Sequence, residues 1–459
     1  MNSTTSRNIA VIGGGISGLT TALRLVEQGH GVTLFEGSDQ LGGLGTFFEH
    51  DGRTFEKFYH CMLPSDGPLL EVLETLGLRE DVYWKPSSFA YAYQNNLFPL
   101  NTPADLLRFK PLSFIERLRV GVTGAYGRIA SDKGLDDMTT AEWLGKFSGA
   151  SAFKKFWQPM LEAKFGDRYK DVPALWFWTR FNREKGESKG EVKGYLRGGY
   201  KRIIDKFANH LRSRGVVIRM NTPVKSIDLD QHGFPVVVSD RGSEGFDQIV
   251  VTLPWPGFAK SAGENLRSAA NGIDWNIDFQ GVINCLFFLR RPLTPHYWVA
   301  TPEPAFPFDG VIETSTLTDE EDRGQNRHVV YLTKYLHRTD PRFSIPDDTI
   351  GTDWFAALKK LFPDLTEDDI EARHIFRAPF VEPVYTKGYL KRRPPEVLVP
   401  GKVYLATSAQ VYPTVTSWNG SVIQAKRTLD AIASEPPMER PARKKGASLR
   451  RVVAHAPSC

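Results

Sequence analysis

The chain has 459 residues, of which 41% are apolar and 24% are charged, and its formal net charge is +5. This length predicts two or so domains with a large core. No run of about 18 apolar residues occurs, which excludes a transmembrane helix of ordinary length. Six Lys or Arg against two acids follow from Glu435 onward. We therefore expect residues 435–459 to form a disordered basic tail. The alternative is that this tail tethers the protein to anionic lipid or nucleic acid. We expect no nucleic-acid partner for the rest of the chain.

The three cysteines, Cys61, Cys285 and Cys459, are far apart and lack the spacing of metal ligands. This pattern predicts no metal site and a reducing, cytoplasmic compartment. The first residues, MNSTTSRN, have no signal-peptide pattern. Peripheral membrane contact and the oligomeric state stay open.

The stretch from Asn8 to Glu36 predicts a strand, a glycine turn, a helix and a second strand. Gly13, Gly15 and Gly18 form the pattern GxGxxG, in which the glycines permit a tight turn, close approach of a pyrophosphate and close packing of helix on strand. The free N–H groups at the helix start favour phosphate. Glu36 is spaced to accept hydrogen bonds from a ribose. A glycine turn in any α/β unit is the alternative. Ile16 and Ser17 at the helix start and Gly37 after the acid belong to the predicted cofactor site.

A second glycine loop, Gly42, Gly43 and Gly45, follows soon after the acid. A dinucleotide that ends in nicotinamide does not need such a loop, whereas the longer FAD does. Residues 55–60 would then lead past the flavin ring, with His60 placed for proton transfer because imidazole titrates near neutrality. A hydrogen-bonded structural histidine is the alternative.

Residues 62–194 are predicted to be mostly helical and to interrupt the dinucleotide fold. The segment PALWFWTRFNREKG places four aromatic residues beside Arg180 and Arg183. It predicts either an aromatic substrate cavity with an anion clamp or an aromatic core with surface arginines.

The α/β pattern returns at about residue 195, with a helix at 200–214 and strands at 216–220, 224–229 and 246–253. Val224 is the expected backbone contact to adenine, and Thr252 ends the last of these strands. Residues 254–399 are predicted to form a sheet over a substrate cavity. A final strand at 403–406 precedes a helix at 421–433, whose start at Asn419 would face an anion or a flavin carbonyl.

Four separated pieces resemble the superfamily of FAD-dependent amine oxidases, protoporphyrinogen oxidases and phytoene desaturases. They are VIGGGISGLTTALRL…VTLFE, LGGLG, LRGGYKRIIDKFANHLRSRGVVIRMNTPVKSI and VPGKVYLATSAQ…WNGSVIQAKRTLDAI. EKFYH followed by SDGPLLEVLETLGL is similar to a bacterial NAD(P)/FAD-dependent oxidoreductase subgroup.

The resemblance implies an α/β fold with a discontinuous, glutathione-reductase-type Rossmann FAD-binding domain at 1–62, 195–253 and 400–434. Residues 63–194 and 254–399 would form an inserted α+β substrate domain. The resemblance also implies which residues contact FAD. They are Gly13, Gly15, Gly18 and Glu36 at the ADP part, Gly42, Gly43 and Leu44 along the ribityl and flavin region, Val224 at adenine, and Ser408 with Asn419, Ser421 and Val422 near the ribityl and pyrimidine end.

Three positions depart from the superfamily pattern. Thr407-Ser408 stands where an acid usually binds the ribityl chain, Asn284 stands where amine oxidases have a lysine, and Ser421 stands at an aromatic-cage position. Asn284 can hydrogen-bond a water but carries no charge. Amine oxidation is therefore disfavoured, and Tyr385, Tyr389, Tyr412 and Trp418 remain candidate cavity aromatics.

The leading hypothesis is an FAD-dependent oxidoreductase that accepts hydride from a C–C or C–N bond of a small molecule, with desaturation favoured. His60, Asn284, Arg180 and Arg183 are the predicted catalytic side chains. Two alternatives stay open: a non-redox flavoenzyme resembling UDP-galactopyranose mutase that acts on a nucleotide sugar, and a non-catalytic flavin-binding interaction protein.

Overall fold

The computed structural model describes residues 6–183 and 191–435. The predicted basic tail lies outside these residues apart from Glu435. That residue is held by the body, because Tyr404 donates a hydrogen bond from its hydroxyl to Glu435 Oε2 at 2.7 Å. None of the described helices is long and apolar enough to cross a membrane.

The helices are α1 (Ile16–Glu27), α2 (Gly67–Thr75), α3 (Pro103–Arg108), α4 (Phe114–Ile129), α5 (Thr140–Ser148), α6 (Ala150–Ala152), α7 (Gln158–Phe165), α8 (Ala174–Arg183), α9 (Lys201–Ser213), α10 (Trp255–Ser261), α11 (Glu264–Ala269), α12 (Glu320–Arg323), α13 (Asp347–Leu361) and α14 (Trp418–Ser434). The strands are β1 (Asn8–Ile12), β2 (Gly31–Phe35), β3 (Phe47–His50), β4 (Arg53–Glu56), β5 (Val82–Pro86), β6 (Phe89–Tyr93), β7 (Asn96–Pro99), β8 (Val192–Leu196), β9 (Val217–Arg219), β10 (Val224–Leu229), β11 (Pro235–Ser239), β12 (Gly242–Gly245), β13 (Gln248–Val251), β14 (Phe279–Leu289), β15 (Trp298–Ala300), β16 (Gly310–Glu313), β17 (His328–His337), β18 (Ile370–Pro383), β19 (Val397–Val399) and β20 (Val403–Leu405).

A six-stranded sheet in the order β19-β20-β13-β1-β2-β9 gathers strands from widely separated parts of the chain. β20, β13, β1, β2 and β9 pair in parallel, and β19 is antiparallel at the edge. β1 and β13 are apolar and buried, as parallel strands covered on both faces require. Helices α9 and α14 pack against α1. The carboxyl ends of these strands carry the glycine turn.

A second, larger sheet is mixed and has seven strands in the order β18-β14-β17-β16-β15-β6-β7. Strand β14, which pairs with β18 on one side and β17 on the other, is buried along its whole length. Helix α7 contacts β17, and α13 contacts β14 and β18.

The prediction that residues 62–194 are mostly helical is wrong for residues 82–99. β6 and β7 form a hairpin whose turn residues Gln94 and Asn95 have positive φ angles of 47° and 59°, the conformation that favours tight hairpins. β6 then joins the large sheet by pairing in parallel with β15. The aromatic, β-prone sequence FAYAY was the signal for this strand.

The predicted start of the last helix is also wrong. α14 begins at Trp418, three residues before Ser421, because the Ser417 side chain accepts a hydrogen bond from Gly420 N at 3.0 Å. A serine in this position is a favourable N-cap. The first turn of the helix therefore lies before the segment that the sequence suggested.

Candidate functional site

The glycine turn after β1 has the packing that its sequence predicts. Gly13 has φ +111°, and a Cβ on Gly18 would lie 1.9 Å from the Gly13 carbonyl oxygen. Only glycine at position 18 allows α1 to start this close to the strand. A Cβ on Gly15 would meet nothing closer than Gly43 Cα at 3.9 Å, so this face of the turn is open.

The second glycine loop lies directly against the first. Gly42 donates from its N–H to the Gly14 carbonyl at 2.8 Å. Gly42 and Gly43 have φ angles of 115° and 61°, which favour glycine. Gly15 and Gly42 form a β-bridge although they are 27 positions apart in the sequence. We call the two adjoining glycine loops the cradle, because they present backbone without side chains. Leu44 lies next to it.

The acid after β2 is joined to the segment that begins β10. The Glu36 carboxylate accepts hydrogen bonds from Gly14 N and Ser38 N, both at 2.8 Å. The Glu36 carbonyl accepts a bond from Thr222 N at 2.8 Å. Pro223 lies 3.4 Å from the Cβ position of Gly37. Val224 thus begins its strand beside Glu36, where an adenosine contact was predicted.

Two other predicted cofactor residues use their hydroxyls within the protein. Thr252 donates to the Ile12 carbonyl at 2.9 Å and lies beneath the glycine turn. Ser17 donates from Oγ to the Ala406 carbonyl at 2.6 Å. Ser408 follows two residues later and begins a short 3₁₀ turn. Ile16 is buried in the core beneath the turn.

The start of α14 differs from the arrangement predicted for it. Ser421 donates from N to the Ser417 carbonyl at 2.9 Å, so its amide is part of the helix and is not free for a ligand. Asn419 Oδ1 accepts a hydrogen bond from Leu69 N at 3.1 Å and so caps α2. Val422 is buried. The Asn419 side chain therefore joins two helices.

Trp418 lies between the glycine loop and His60. A Cβ on Gly45 would be 2.4 Å from the Trp418 ring. The His60 ring lies 5.4 Å from Trp418 and 5.7 Å from Tyr200, measured between ring centroids. Burial lowers the pKa of His60 to about 4, and a contact with the Phe58 backbone offsets this only in part. The imidazole is therefore neutral near pH 7, contrary to the expectation that it titrates there.

Asn284 joins the centre of β14 to the segment that leads to His60. It is 1% exposed, and its Nδ2 donates to the Lys57 carbonyl at 3.3 Å. Its Oδ1 is buried and accepts no hydrogen bond from residues 6–183 or 191–435. An unsatisfied buried acceptor is costly, so Asn284 offers this oxygen to a donor from water or a ligand.

A buried polar cluster that the sequence did not reveal lies beside Tyr59. Tyr59 and Tyr335 share a hydrogen bond between their hydroxyls at 3.1 Å, and Lys164 Nζ lies 3.5 Å from the centroid of the Tyr335 ring. Lys164 also pairs with Glu382, which is almost fully buried. Gln280 donates to the same carboxylate at 2.6 Å. We call Tyr59, Lys164, Tyr335 and Glu382 the polar cluster.

Arg180 is close to the polar cluster. Its guanidinium lies 4.2 Å from the centroid of the Trp176 ring, and its charge lowers the pKa of Tyr335, although burial raises that pKa overall to about 12. Trp178 donates to the Ala130 carbonyl and packs with the core. The aromatic residues of this segment therefore pack in or against the core, and the anion clamp stays a prediction. Arg183 is the last residue of α8, and its side chain lies outside the described residues.

The four candidate cavity aromatics are mostly core residues. Tyr385, Tyr389 and Tyr412 are at most 1% exposed and lie about 5 Å apart between ring centroids. Tyr412 donates to Asp136, and Tyr389 donates to the Ala409 carbonyl. Only Tyr385 is linked to the cluster, through the charges of Glu382 and Arg180.

Two cavities are each lined in part by a predicted site residue, the first by His60 and the second by Asn419. One, of about 230 Å³, is lined by Tyr59, His60, Glu56, Tyr195 and charged side chains of α12. Glu56 accepts bonds from the Tyr195 hydroxyl and from Tyr200 N, and burial raises its pKa. The other, of about 270 Å³, lies between Trp178 and Thr179 of α8 and the start of α14. No single motif marks their linings, because these come from distant segments.

The residues of the cradle fit the ADP part of FAD. The Gly15 face is open, the two glycine loops present backbone only, and Glu36 with the start of β10 stands at one end. Close approach of a pyrophosphate to a helix start requires these properties. The described residues contain no group of His, Cys, Asp and Glu that could hold a metal ion.

A sequence profile described as "Flavin containing amine oxidoreductase" matches residues 16–432. The chain belongs to this family, and it is accordingly an FAD-dependent oxidoreductase. The match confirms the superfamily resemblance found in the four sequence pieces.

Individual relatives are distant. Coproporphyrinogen III oxidase of Staphylococcus aureus is 23% identical over 57% of this chain and 63% of its own length, so the match spans less than two thirds of that enzyme. The 15-cis-phytoene desaturase of Synechococcus elongatus is 22% identical over 92% of this chain and 95% of its own. A solved structure of reduced UDP-galactopyranose mutase superimposes with a TM-score of 0.72 at 16% identity, over 93% of this chain and 96% of the other. This last likeness shows a shared fold.

Proposed function

We propose that the protein accepts hydride from a C–C or C–N bond of a small molecule, and that desaturation is favoured over amine oxidation. The observation that carries this proposal is the backbone cradle at Gly15 and Gly43, with Asn284 and the polar cluster beyond His60. We further propose that residues 1–62, 195–253 and 400–434 form a glutathione-reductase-type Rossmann FAD domain, and that 63–194 and 254–399 form the substrate domain.

When bound, the flavin supplies a hydride acceptor at its N5 atom. The protein's own residues bind and orient. The N–H groups at the start of α1 would hold the pyrophosphate, and Glu36 would exchange its bond from Gly14 N for ribose hydroxyls. Asn284 would fix the Lys57 to His60 segment and present its free Oδ1. Neutral His60 would act as a hydrogen-bonding group near pH 7.

Charge in the polar cluster favours a neutral or anionic substrate. Lys164 and Arg180 are cations, and the nearby carboxylates of Glu382 and Asp309 are already paired, with Lys164 and Lys334 respectively. A protonated amine would meet two positive charges without a free carboxylate, which is unfavourable in a buried site. This balance supports desaturation or the oxidation of an uncharged or carboxylate-bearing molecule. Arg183 remains a predicted member of the anion clamp.

The first test is the visible spectrum of the purified protein, before and after addition of FAD. The absence of flavin bands in both would contradict the proposal. With flavin bound, anaerobic mixing with porphyrinogens, isoprenoids, amines and nucleotide sugars should bleach the flavin for a desaturase or oxidase substrate. We expect a compound without an amino group to bleach the flavin.

The mutase-like alternative makes a different prediction. Such an enzyme would convert a nucleotide sugar only after prior reduction of the flavin, with no net redox change. Turnover of that kind would replace the proposed reaction while leaving the cofactor assignment intact. The cytoplasmic location remains a prediction that fractionation tests, and light scattering would measure the oligomeric state, for which the sequence made no prediction.

A further inference from the structure

The surface of α4 carries an unusual concentration of exposed apolar side chains. Phe114, Ile115, Val122 and Ile129 are 62%, 65%, 64% and 82% exposed, and Leu118 and Tyr126 are also exposed. Among the described residues, the other large exposed apolar side chains are Leu107 on the adjacent α3 and four scattered positions. We call the six residues on α4 the apolar stripe.

The stripe follows one side of the helix. At about 100° per residue, its six members fall within an arc of about 120°. The opposite side is buried and contains Glu116, Val120, Thr123 and Gly127. Scattered exposed apolar residues are common on proteins, but a contiguous patch of this kind marks a surface that binds something.

The helix is fixed firmly beneath the stripe. Ser113 caps its first turn in a capping box with Glu116. Glu116 also accepts bonds from Ser151 Oγ at 2.6 Å and Lys155 Nζ at 2.7 Å. A Cβ on Gly127 would lie 2.5 Å from the Phe181 ring, so α8 packs closely against α4. The stripe is therefore a feature of the folded protein.

The charges beside the stripe are positive. Arg119 flanks one edge of the arc and Arg128 the other, and both are exposed. Arg108 and Lys110 are exposed just before the helix. None of these four cations forms an ion pair with residues 6–183 or 191–435. The acid of α4, Glu116, is buried beneath and paired.

We propose that α4 docks the protein on the surface of an anionic lipid bilayer, with the apolar stripe in the boundary between headgroups and acyl chains. An apolar face flanked by Lys and Arg is the pattern of helices that lie in this boundary. Each cation near the surface adds attraction to anionic lipid. A second copy of the chain is a poorer occupant, because a twofold contact through the stripe would bring Arg119 and Arg128 against like charges.

This surface is connected to the candidate site through one helix. Asn182 of α8 donates to the Gly127 carbonyl of α4 at 3.1 Å, and Trp178 and Thr179 of the same helix line the larger cavity. The docking proposal does not depend on the reaction, since the stripe and its charges would bind lipid with or without turnover.

The test is co-sedimentation of the full-length, FAD-loaded protein with vesicles. Vesicles of phosphatidylcholine mixed with phosphatidylglycerol should bind it, and vesicles of phosphatidylcholine alone should bind it at least about tenfold less. Ile115→Glu and Ile129→Glu should each weaken binding to the mixed vesicles by about tenfold. Leu390→Glu, at an exposed apolar position far from α4 in the sequence, is the matched control and should bind as the parent does.

The basic tail needs its own control, because it could bind lipid independently. The variant with Arg443→Gln, Lys444→Gln and Lys445→Gln should keep most of the binding, and Arg119→Glu with Arg128→Glu should lose it. Loss of binding in the tail variant, with full binding by Ile115→Glu and Ile129→Glu, would overturn the proposal. So would a dimer in light scattering that the two α4 variants convert to monomer without any effect on vesicle binding.

Discussion

Asn284 Nδ2 donates to the Lys57 carbonyl across 227 positions of sequence, and this bond joins strand β14 of the large sheet to the segment that leads to His60. The bond has a direction. Position 284 must donate, because its partner is a carbonyl oxygen. A side chain of the same size that can only accept should therefore fail there.

Asn284→Asp should consequently destabilise the protein more than Asn284→Leu. The carboxylate would be buried against the Lys57 carbonyl, whereas leucine only removes the bond, at a cost of about 1–2 kcal/mol. The difference in unfolding free energy between the two variants should become smaller as the pH falls, because a protonated aspartic acid can donate a hydrogen bond. Urea unfolding at pH 5 and pH 8 measures this, with the exposed Asn276→Asp as control. Equal unfolding free energies for both variants at pH 8 would contradict the assignment.

Gly15→Ala should weaken FAD binding and leave the fold nearly unchanged. The added methyl would meet only Gly43 Cα at 3.9 Å within the protein, but it would occupy the face that a pyrophosphate approaches. We expect FAD affinity to fall by at least about tenfold, equivalent to about 1.4 kcal/mol. Flavin fluorescence titration measures the affinity, and thermal unfolding of the FAD-free protein reports the fold.

The matched control for this experiment is Gly257→Ala in α10. Its Cβ would meet nothing within 4 Å, and its φ angle is not positive. It should bind FAD normally. If Gly15→Ala bound FAD as tightly as this control does, the cradle would not be the pyrophosphate site.

Lys164 and Glu382 should behave as a coupled pair. Lys164→Met would leave the almost fully buried Glu382 carboxylate without its cation, and the expected loss is about 2–4 kcal/mol. Lys164→Met combined with Glu382→Gln should be more stable than Lys164→Met alone, because Gln280 can still donate to the amide oxygen. Denaturant unfolding of the parent, the two single variants Lys164→Met and Glu382→Gln, and the double variant gives the coupling free energy. Additive losses would show that the two groups do not interact.

Glu313 should make the protein less stable as the pH rises. Burial raises the pKa of this carboxyl to about 7, so between about pH 4.5 and 7 the folded state holds a proton that the unfolded state has lost. The free energy of unfolding therefore decreases as the pH rises through this range, by about 3 kcal/mol in total. Glu313→Gln keeps an acceptor for Leu293 N and lacks this loss. The difference between the unfolding free energies at pH 5 and pH 8 should therefore be smaller in Glu313→Gln than in the parent protein.

His60 should show the opposite dependence. Burial lowers its pKa to about 4, so below about pH 6.5 the unfolded state binds a proton that the folded state does not. Stability should be lost as the pH falls, by about 2 kcal/mol between pH 7 and pH 5. His60→Asn should lack this part of the acid sensitivity. A His60 ring resonance that titrates near pH 6.5 in NMR spectra would contradict the buried, neutral imidazole.

Local sequence predicts the conformation and packing of the first glycine turn well. Gly13, Gly15 and Gly18 need particular backbone conformations and packing distances, and these needs are written in adjacent residues. The association of Glu36 with the start of β10 follows from the parallel pairing of β2 with β9, because the carboxyl ends of these two strands lie together and β10 begins soon after β9.

The substrate end could not be predicted in the same way. Lys164 comes from α7, Tyr335 from β17 and Glu382 from β18, and nothing in the local sequence of any of them refers to the others. Ser421 was misplaced because several residues near it can begin a helix, and only Ser417 has the geometry to cap Gly420. The hairpin of β6 and β7 was missed although its segment FAYAY is β-prone, whereas the parallel pairing of β6 with β15 is a long-range interaction.

The order of strands in the six-stranded sheet has a consequence for biosynthesis. β1 is made well before its neighbour β13, which ends at Val251, and before the next strand, β20, which ends at Leu405. The bond from Ser17 Oγ to Ala406 spans 389 positions. While the ribosome adds these residues, the nascent chain holds an incomplete nucleotide cradle with an unpaired strand edge, a state that chaperones commonly protect. We therefore expect cofactor loading to follow the synthesis of Ala406, and the stability of the newly made protein should depend on the supply of FAD from that moment.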